Sequence, residues 1–278
     1  MLFFSYLSKS IACAFSLAVF FLTVFSYFVL TSFFQTKKPE QILAIRERFL
    51  AGCRFCDSLQ VARATLQGIA LLEEEERSLY TKEAFFSALT PIFSKSKIRL
   101  QWKNFLAMKE ALFILSFEQT ILYVKQHPLD LEAHTLLAEI YFSWSLLYLP
   151  PKEPLAWTPA EYQSEAMQER FFACSSRAIE EFNILKEYGT SNRWLLTQLA
   201  KIHELRGEIN EQTLQYEELK SLFPEDPRVL AELGQLYFAQ GEQSKGLKIY
   251  ELLKESSPEE AEEVLSKYSS IAIQPCFS

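Results

Sequence analysis

Residues 193–226 read RWLLTQLAKIHELRGEINEQTLQYEELKSLFPED, and residues 227–260 read PRVLAELGQLYFAQGEQSKGLKIYELLKESSPEE. Placed one under the other, the two stretches align without a gap. Leu196 falls on Leu230, Leu199 on Leu233, Gly207 on Gly241, Tyr216 on Tyr250, Leu219 on Leu253 and Pro224 on Pro258, every pair 34 residues apart. Each copy carries two apolar stripes at helical spacing: Leu230, Leu233, Gly234 and Tyr237 share one face, and Gly246, Tyr250 and Leu253 share another. Gly207 and Gly241 stand between the stripes, where a chain leaving a helix passes through a left-handed residue that glycine adopts at least cost. Pro224 and Pro258 end the second stripe, because the residue before a proline avoids the helical region. Asp226 then serves as an N-cap and Pro227 as the first residue of the following helix. Each copy is therefore a helical hairpin.

A helical hairpin of this period resembles the tetratricopeptide (TPR) repeat. The family's signature positions are filled by Leu230, Leu233, Gly234, Tyr237, Gly246, Tyr250, Leu253 and Pro258. In the preceding copy they are filled by Leu196, Leu199, Ala200, His203, Gln212, Tyr216, Leu219 and Pro224, where His203 and Gln212 depart from the pattern and are expected to loosen packing. The resemblance implies an all-α solenoid of antiparallel helix pairs whose first helices line a concave groove. By family register the groove residues are Trp194, Thr197, Lys201, Glu204 and Leu205, then Arg228, Ala231, Gln235, Phe238 and Ala239. What such a groove holds is another protein or a peptide, without catalysis. The subclass that clamps a C-terminal carboxylate uses Lys and Asn there, and Thr197, Gln198 and Lys201 do not match it.

The same punctuation occurs upstream. His127-Pro128-Leu129-Asp130 opens a helix with His134, Leu137, Ala138 and Tyr141 on one face, and the partner stripe Ala178, Phe182 and Leu185 lies further on than the period requires. Residues 131–192 are thus expected to form an elongated hairpin with a 28-residue insertion. Pro150, Pro151, Pro154 and Pro159 mark its turn, and Thr158-Pro159-Ala160-Glu161 reads as a capping box that opens the return helix. Trp144, Tyr148, Leu149 and Trp157 gather at its tip, a cluster read as packing the hairpin against itself in preference to a partner-binding knob. Before it, 97–130 reads as one long helix closing on Pro128, and 35–96 as a helical lead-in or degenerate repeats with Pro91 as a breaker. After residue 260, a capping helix over 261–270 is expected to cover the last pair's apolar edge, followed by a tail, 271–278.

At the other end, a ten-residue tail precedes Ile11 to Phe34, a stretch without a charge. As a helix it would be about 36 Å long, enough for a hydrocarbon core of about 30 Å. A cleaved signal has a shorter apolar region and a small-residue cleavage site, neither of which occurs here. Leu50-Ala51-Gly52-Cys53 spells a lipid-attachment motif, but Lys37, Lys38, Arg46, Glu47 and Arg48 separate it from the apolar run. Residues 11–34 are therefore read as a single-pass anchor in a lipid bilayer. The cations after it favour a cytoplasmic solenoid, whereas the short tail before it favours export, so the side stays open. The likeness to N-terminally anchored bacterial TPR proteins implies the inner membrane and an assembly-factor or chaperone-like role.

Composition narrows the chemistry. Across 278 residues, 24 Phe against 7 Gly disfavours turn-rich β architectures, and a net charge of -7 disfavours nucleic acid as a partner. No glycine-rich phosphate loop and no nucleophile elbow occurs. His127, His134 and His203 lie on different helices without a spaced acidic partner, so neither a metal site nor any other cofactor site is expected. The pair Cys53 and Cys56 supports an alternative, a membrane-tethered thiol redox protein. It has neither a βαβ context nor a second pair to make a zinc site. The reading is a non-catalytic scaffold, with no residue assigned to an enzyme's work.

Overall fold

A computed structural model describes residues 58–87, 91–150, 160–189 and 191–272. Everything regular in them is helical: α1 (Ser58–Ser87), α2 (Pro91–Gln126), α3 (Leu131–Leu146), a 3-10 turn (Ala160–Gln163), α4 (Glu165–Glu187), α5 (Arg193–Arg206), α6 (Ile209–Leu222), α7 (Pro227–Ala239), α8 (Gln243–Ser256) and α9 (Pro258–Ala272). The chain divides into two compact units, Met1–Ser116 and Phe117–Ser278, and the boundary falls within α2. The anchor 11–34 and the Cys53/Cys56 pair lie outside the described residues. Among those described, no helix is long and apolar enough to cross a membrane.

In the first unit, α1 and the first part of α2 run antiparallel. Lys109 Nζ meets Glu76 Oε2 at 2.5 Å near one end, and Ser116 Oγ donates to the Ala62 carbonyl at 3.0 Å near the other. Leu59, Ala62, Ile69, Trp102, Phe105 and Phe113 are buried. Lys109 is buried among them, which is tolerable only because Glu76 and, at 3.8 Å, Glu73 neutralise it. The long helix expected from residue 97 starts earlier: α1 ends at Ser87, and Pro91, the expected breaker, is the first residue of α2, where a missing N–H costs nothing.

The second unit is a stack of helical hairpins, α3 with α4, α5 with α6 and α7 with α8, and α9 covers α7 and α8. Each first helix begins at a side-chain cap. Asp130 accepts from the N–H of Glu132 and of Ala133 (2.9 and 3.3 Å), Asn192 from Leu195 (2.9 Å) and Asp226 from Arg228 (3.0 Å). The second helices carry no such bond, because the turn before them already fixes their start. In α5/α6, Gly207 (φ 72) donates to the Glu204 carbonyl at 3.0 Å and Glu208 to His203 at 2.9 Å. In α7/α8, Gly241 (φ 78) donates to Phe238 at 3.0 Å and Glu242 to Tyr237 at 2.8 Å. Both turns close the last helical carbonyls in the same paired pattern.

The core follows the two stripes. Ala138, Phe142, Ala178, Phe182, Leu196, Leu199 and Leu219 form one cluster; Leu230, Leu233, Ile249, Leu253, Ala261 and Val264 form the next. Tyr216 packs against both. The small residues act as expected of them: a Cβ on Gly234 would lie 3.1 Å from Ile249, and one on Gly246 only 2.6 Å from the Phe238 ring. Gln212 and His203 do not loosen the stack. Both are buried, and the His203 ring bonds Glu208 at 2.7 Å.

Two further boundaries differ from the sequence reading. The return helix does not open at the capping box: Ala160–Gln163 is a single 3-10 turn, α4 starts at Glu165, and the Ser164 hydroxyl donates back to the Glu161 carbonyl rather than capping forward. The terminal helix begins at Pro258, not 261, so the proline that ends one helix is also the first residue of the next. Ser257 bridges them, its amide donating to Leu253 at 2.6 Å and its hydroxyl to the Glu260 carboxylate.

Candidate partner-binding face

The first helices of successive pairs turn one stripe into the core and leave another outward. On α5, Leu195, Leu196, Leu199, Ala200 and Ile202 are buried, while Trp194, Thr197, Lys201 and Glu204 are exposed. On α7, Leu230, Leu233, Gly234 and Tyr237 are buried, Arg228 and Ala239 are exposed, and Gln235 is half-buried. The outward row follows from helical periodicity once the inward stripe is committed.

These outward side chains are held, not loose. Trp194 is 37% exposed and sets its ring edge-on to Phe182 (centroids 5.8 Å apart, planes at 68°), so one side of the indole is packed and the other open. Lys201 lies with its ammonium 5.8 Å from the Phe142 ring centre. The Thr197 hydroxyl donates to the Arg193 carbonyl at 2.7 Å. Arg193 itself is spent internally: it meets Asp226 at 2.5 Å and stands over Phe223, tying the start of α5 to the loop that opens α7.

Two assigned groove residues do something else. Phe238 is 4% exposed and its ring lies against the Gly246 backbone, so it packs α7 on α8 and presents nothing to a ligand. Ala231 is likewise buried. One neighbour escaped the sequence reading. Glu232 on α7 and Glu204 on α5 both act on the Tyr216 phenol, and burial first, then these two carboxylates, push it up to about 12. The face therefore mixes signs, with Lys201 and Arg228 beside Glu204 and Glu232, and its one large aromatic is Trp194.

At the tip of the first hairpin, Trp144 donates to the Tyr148 hydroxyl at 2.8 Å, Tyr148 is 5% exposed, and the Arg170 guanidinium stands over its ring. Those aromatics pack the hairpin on itself; Trp157 lies outside the described residues. Among the described residues, no group of His, Cys, Asp and Glu is placed to hold a metal ion.

No family model matches the sequence, and no curated protein matches it. A solved structure does. It is a thermophilic TPR protein of Thermus thermophilus, 18% identical, matched over 78% of this chain and 99% of that one with a TM-score of 0.37. A superposition that loose leaves the reading of this chain to its own residues.

Proposed function

We propose that the protein is a non-catalytic scaffold of the TPR kind, anchored in a bilayer by residues 11–34, which holds a partner protein or peptide against the outward face of α5 and α7. The observation that carries the reading is the row Trp194, Thr197, Lys201, Glu204 and Arg228, exposed on first helices whose opposite stripe is sealed in the core. A half-packed tryptophan flanked by charges of both signs suits a mixed polypeptide segment, because the indole supplies contact area at low entropic cost and the charges set register. The anchor rests on the uncharged length of 11–34 and on the absence of a cleavage site after it.

The test uses the full chain in its own membranes, with a photo-crosslinking amino acid placed in turn at Thr197, Lys201, Gln235 and Leu252. Leu252 is 51% exposed but lies on a second helix. Expected is one adduct species common to the α5 and α7 sites and missing from Leu252. Adducts equally abundant at all four sites would refute a binding face. Carbonate extraction of the same membranes reads the anchor separately: the full chain stays with the bilayer and a chain lacking 11–34 is released, and release of both removes the membrane half of the proposal alone.

A further inference from the structure

His134 sits in the first turn of α3, buried, with an acceptor at each ring nitrogen. Nδ1 lies 2.8 Å from Glu181 Oε2 on α4, and Nε2 lies 3.1 Å from the carbonyl of Pro128 in the turn that joins α2 to α3. A carboxylate and a carbonyl can only accept. A neutral imidazole has one N–H and so makes one of these bonds, whereas the imidazolium makes both. The ring is thus a three-way joint between a turn, the first helix of a pair and the second. Its surroundings are built to the same end. The Asp130 carboxylate caps α3 and also accepts from the Tyr123 hydroxyl at 3.0 Å, and the Asp130 amide closes the turn on the His127 carbonyl at 3.1 Å.

We propose that His134 is a proton-operated latch: charged, it ties the Pro128 turn to α4 through Glu181, and neutral, it lets one of the two go and frees the start of α3. The charged groups that act on it are Glu181 on α4 and Asp130 in the turn; Tyr123 and His127 at the end of α2 face Asp130, and Tyr141 on α3 faces Glu181 together with Arg177, Glu180 and Cys174 on α4. Arg177, the nearby cation on α4, is paired with Glu180 at 2.7 Å, so the balance facing the ring is negative. Burial disfavours the charge on His134, but the Glu181 hydrogen bond, the Pro128 carbonyl and the charges of Glu181 and Asp130 outweigh it and hold the ring above its ordinary value of 6.5. Since the folded value is the raised one, the latch is fully closed below the unfolded value and is lost as pH rises through the folded one. What it releases is the N-terminal turn of α3, which carries Glu132 and Thr135 on the outward side of the first hairpin.

The chain has three histidines, which makes the titration direct. Long-range nitrogen–proton NMR spectra of the full chain in micelles, followed across pH, are expected to show His134 with both nitrogens protonated up to a midpoint above the ordinary 6.5 and as a single neutral tautomer beyond it. Hydrogen exchange at the Asp130 and His134 amides, corrected for base catalysis, is expected to accelerate by up to about tenfold per pH unit between the unfolded value and the His134 midpoint, to level off above that midpoint, and to lose that dependence in His134→Gln. Glu181→Gln keeps an acceptor oxygen but removes the charge, so the His134 midpoint drops and opening begins at lower pH. Should His134→Gln fail to fold, the wild-type and Glu181→Gln titrations still decide. A His134 midpoint at or below the ordinary 6.5, or one unmoved by Glu181→Gln, overturns the latch.

Discussion

Gly246→Ala tests whether Phe238 belongs to the core or to the partner face. A Cβ at Gly246 would lie 2.6 Å from one carbon of the Phe238 ring and 2.8 Å from two others. Carbon atoms rest at about 3.5–4.0 Å, so the methyl intrudes by about 1 Å on three atoms at once. The ring is buried among Leu230, Leu233, Ile249 and Leu253 and has no open side to swing toward. Overpacking of this kind costs about 1–3 kcal/mol, and a clash on three atoms places it in the upper half, about 2–3 kcal/mol. Removing a glycine from the first turn of a helix returns at most about 1 kcal/mol. The net is a destabilisation of about 1–3 kcal/mol, or a fall in Tm of about 2–12 °C for a unit of this size. In a Phe238→Leu background the ring edge is gone, and the same Gly246→Ala change should turn neutral or stabilising by up to about 1 kcal/mol. The assay is urea unfolding of the full chain in detergent, followed by far-UV circular dichroism, for wild type, both single variants and the double variant. If Gly246→Ala stabilises the otherwise unaltered chain, the ring does not lie over Gly246, and Phe238 returns to the candidate binding residues.

Gly207→Ala isolates a backbone effect, since a Cβ there meets nothing within 4 Å and φ is +72. It should cost about 1–2 kcal/mol in the same unfolding measurement with no change in crosslinking from Lys201, and a neutral result would deny that the hairpin turn is left-handed. Glu208 supplies an acid limb: burial raises its carboxyl, but hydrogen bonds from His203 and Arg206 and the charge of Arg206 win, and its value falls below the ordinary 4.5. Its contribution is present above the unfolded value and is lost as pH falls through the folded one, so Tm of the wild type should drop more steeply on acidification than Tm of Glu208→Gln. Equal slopes would show that the His203–Glu208–Arg206 cluster carries no linked stability.

What could be read along the chain is what depends on neighbours within a few residues. The hairpin turns at Gly207 and Gly241, the caps at Asp130 and Asp226 and the periodic stripes are all local, because φ, capping and helical phase are set by side chains no more than one or two turns apart. Even locally the reading failed where one residue has two roles: Pro258 both stops α8 and starts α9, and Pro91, expected only as a breaker, is also the first residue of α2. The start of α4 was misplaced as well: Ala160–Gln163 forms a 3-10 turn, and the Ser164 hydroxyl just before α4 turns back to the Glu161 carbonyl.

By itself, then, the sequence determined an all-helical chain, its 34-residue punctuation and which face of each helix is apolar, since these follow from spacing alone. Only tertiary structure decided what residues at the margin of a face do. Phe238 lies between the inward and outward stripes of α7, and it turns inward because Gly246 leaves room for its ring on the opposing helix. Lys109 is buried with Glu76, 33 residues away, and His134 finds Glu181, 47 residues away, on partners that no periodicity announces. The physical reason is the same in each case: a buried polar or bulky side chain takes its meaning from the atoms opposite it, and those are supplied by the packing of another helix.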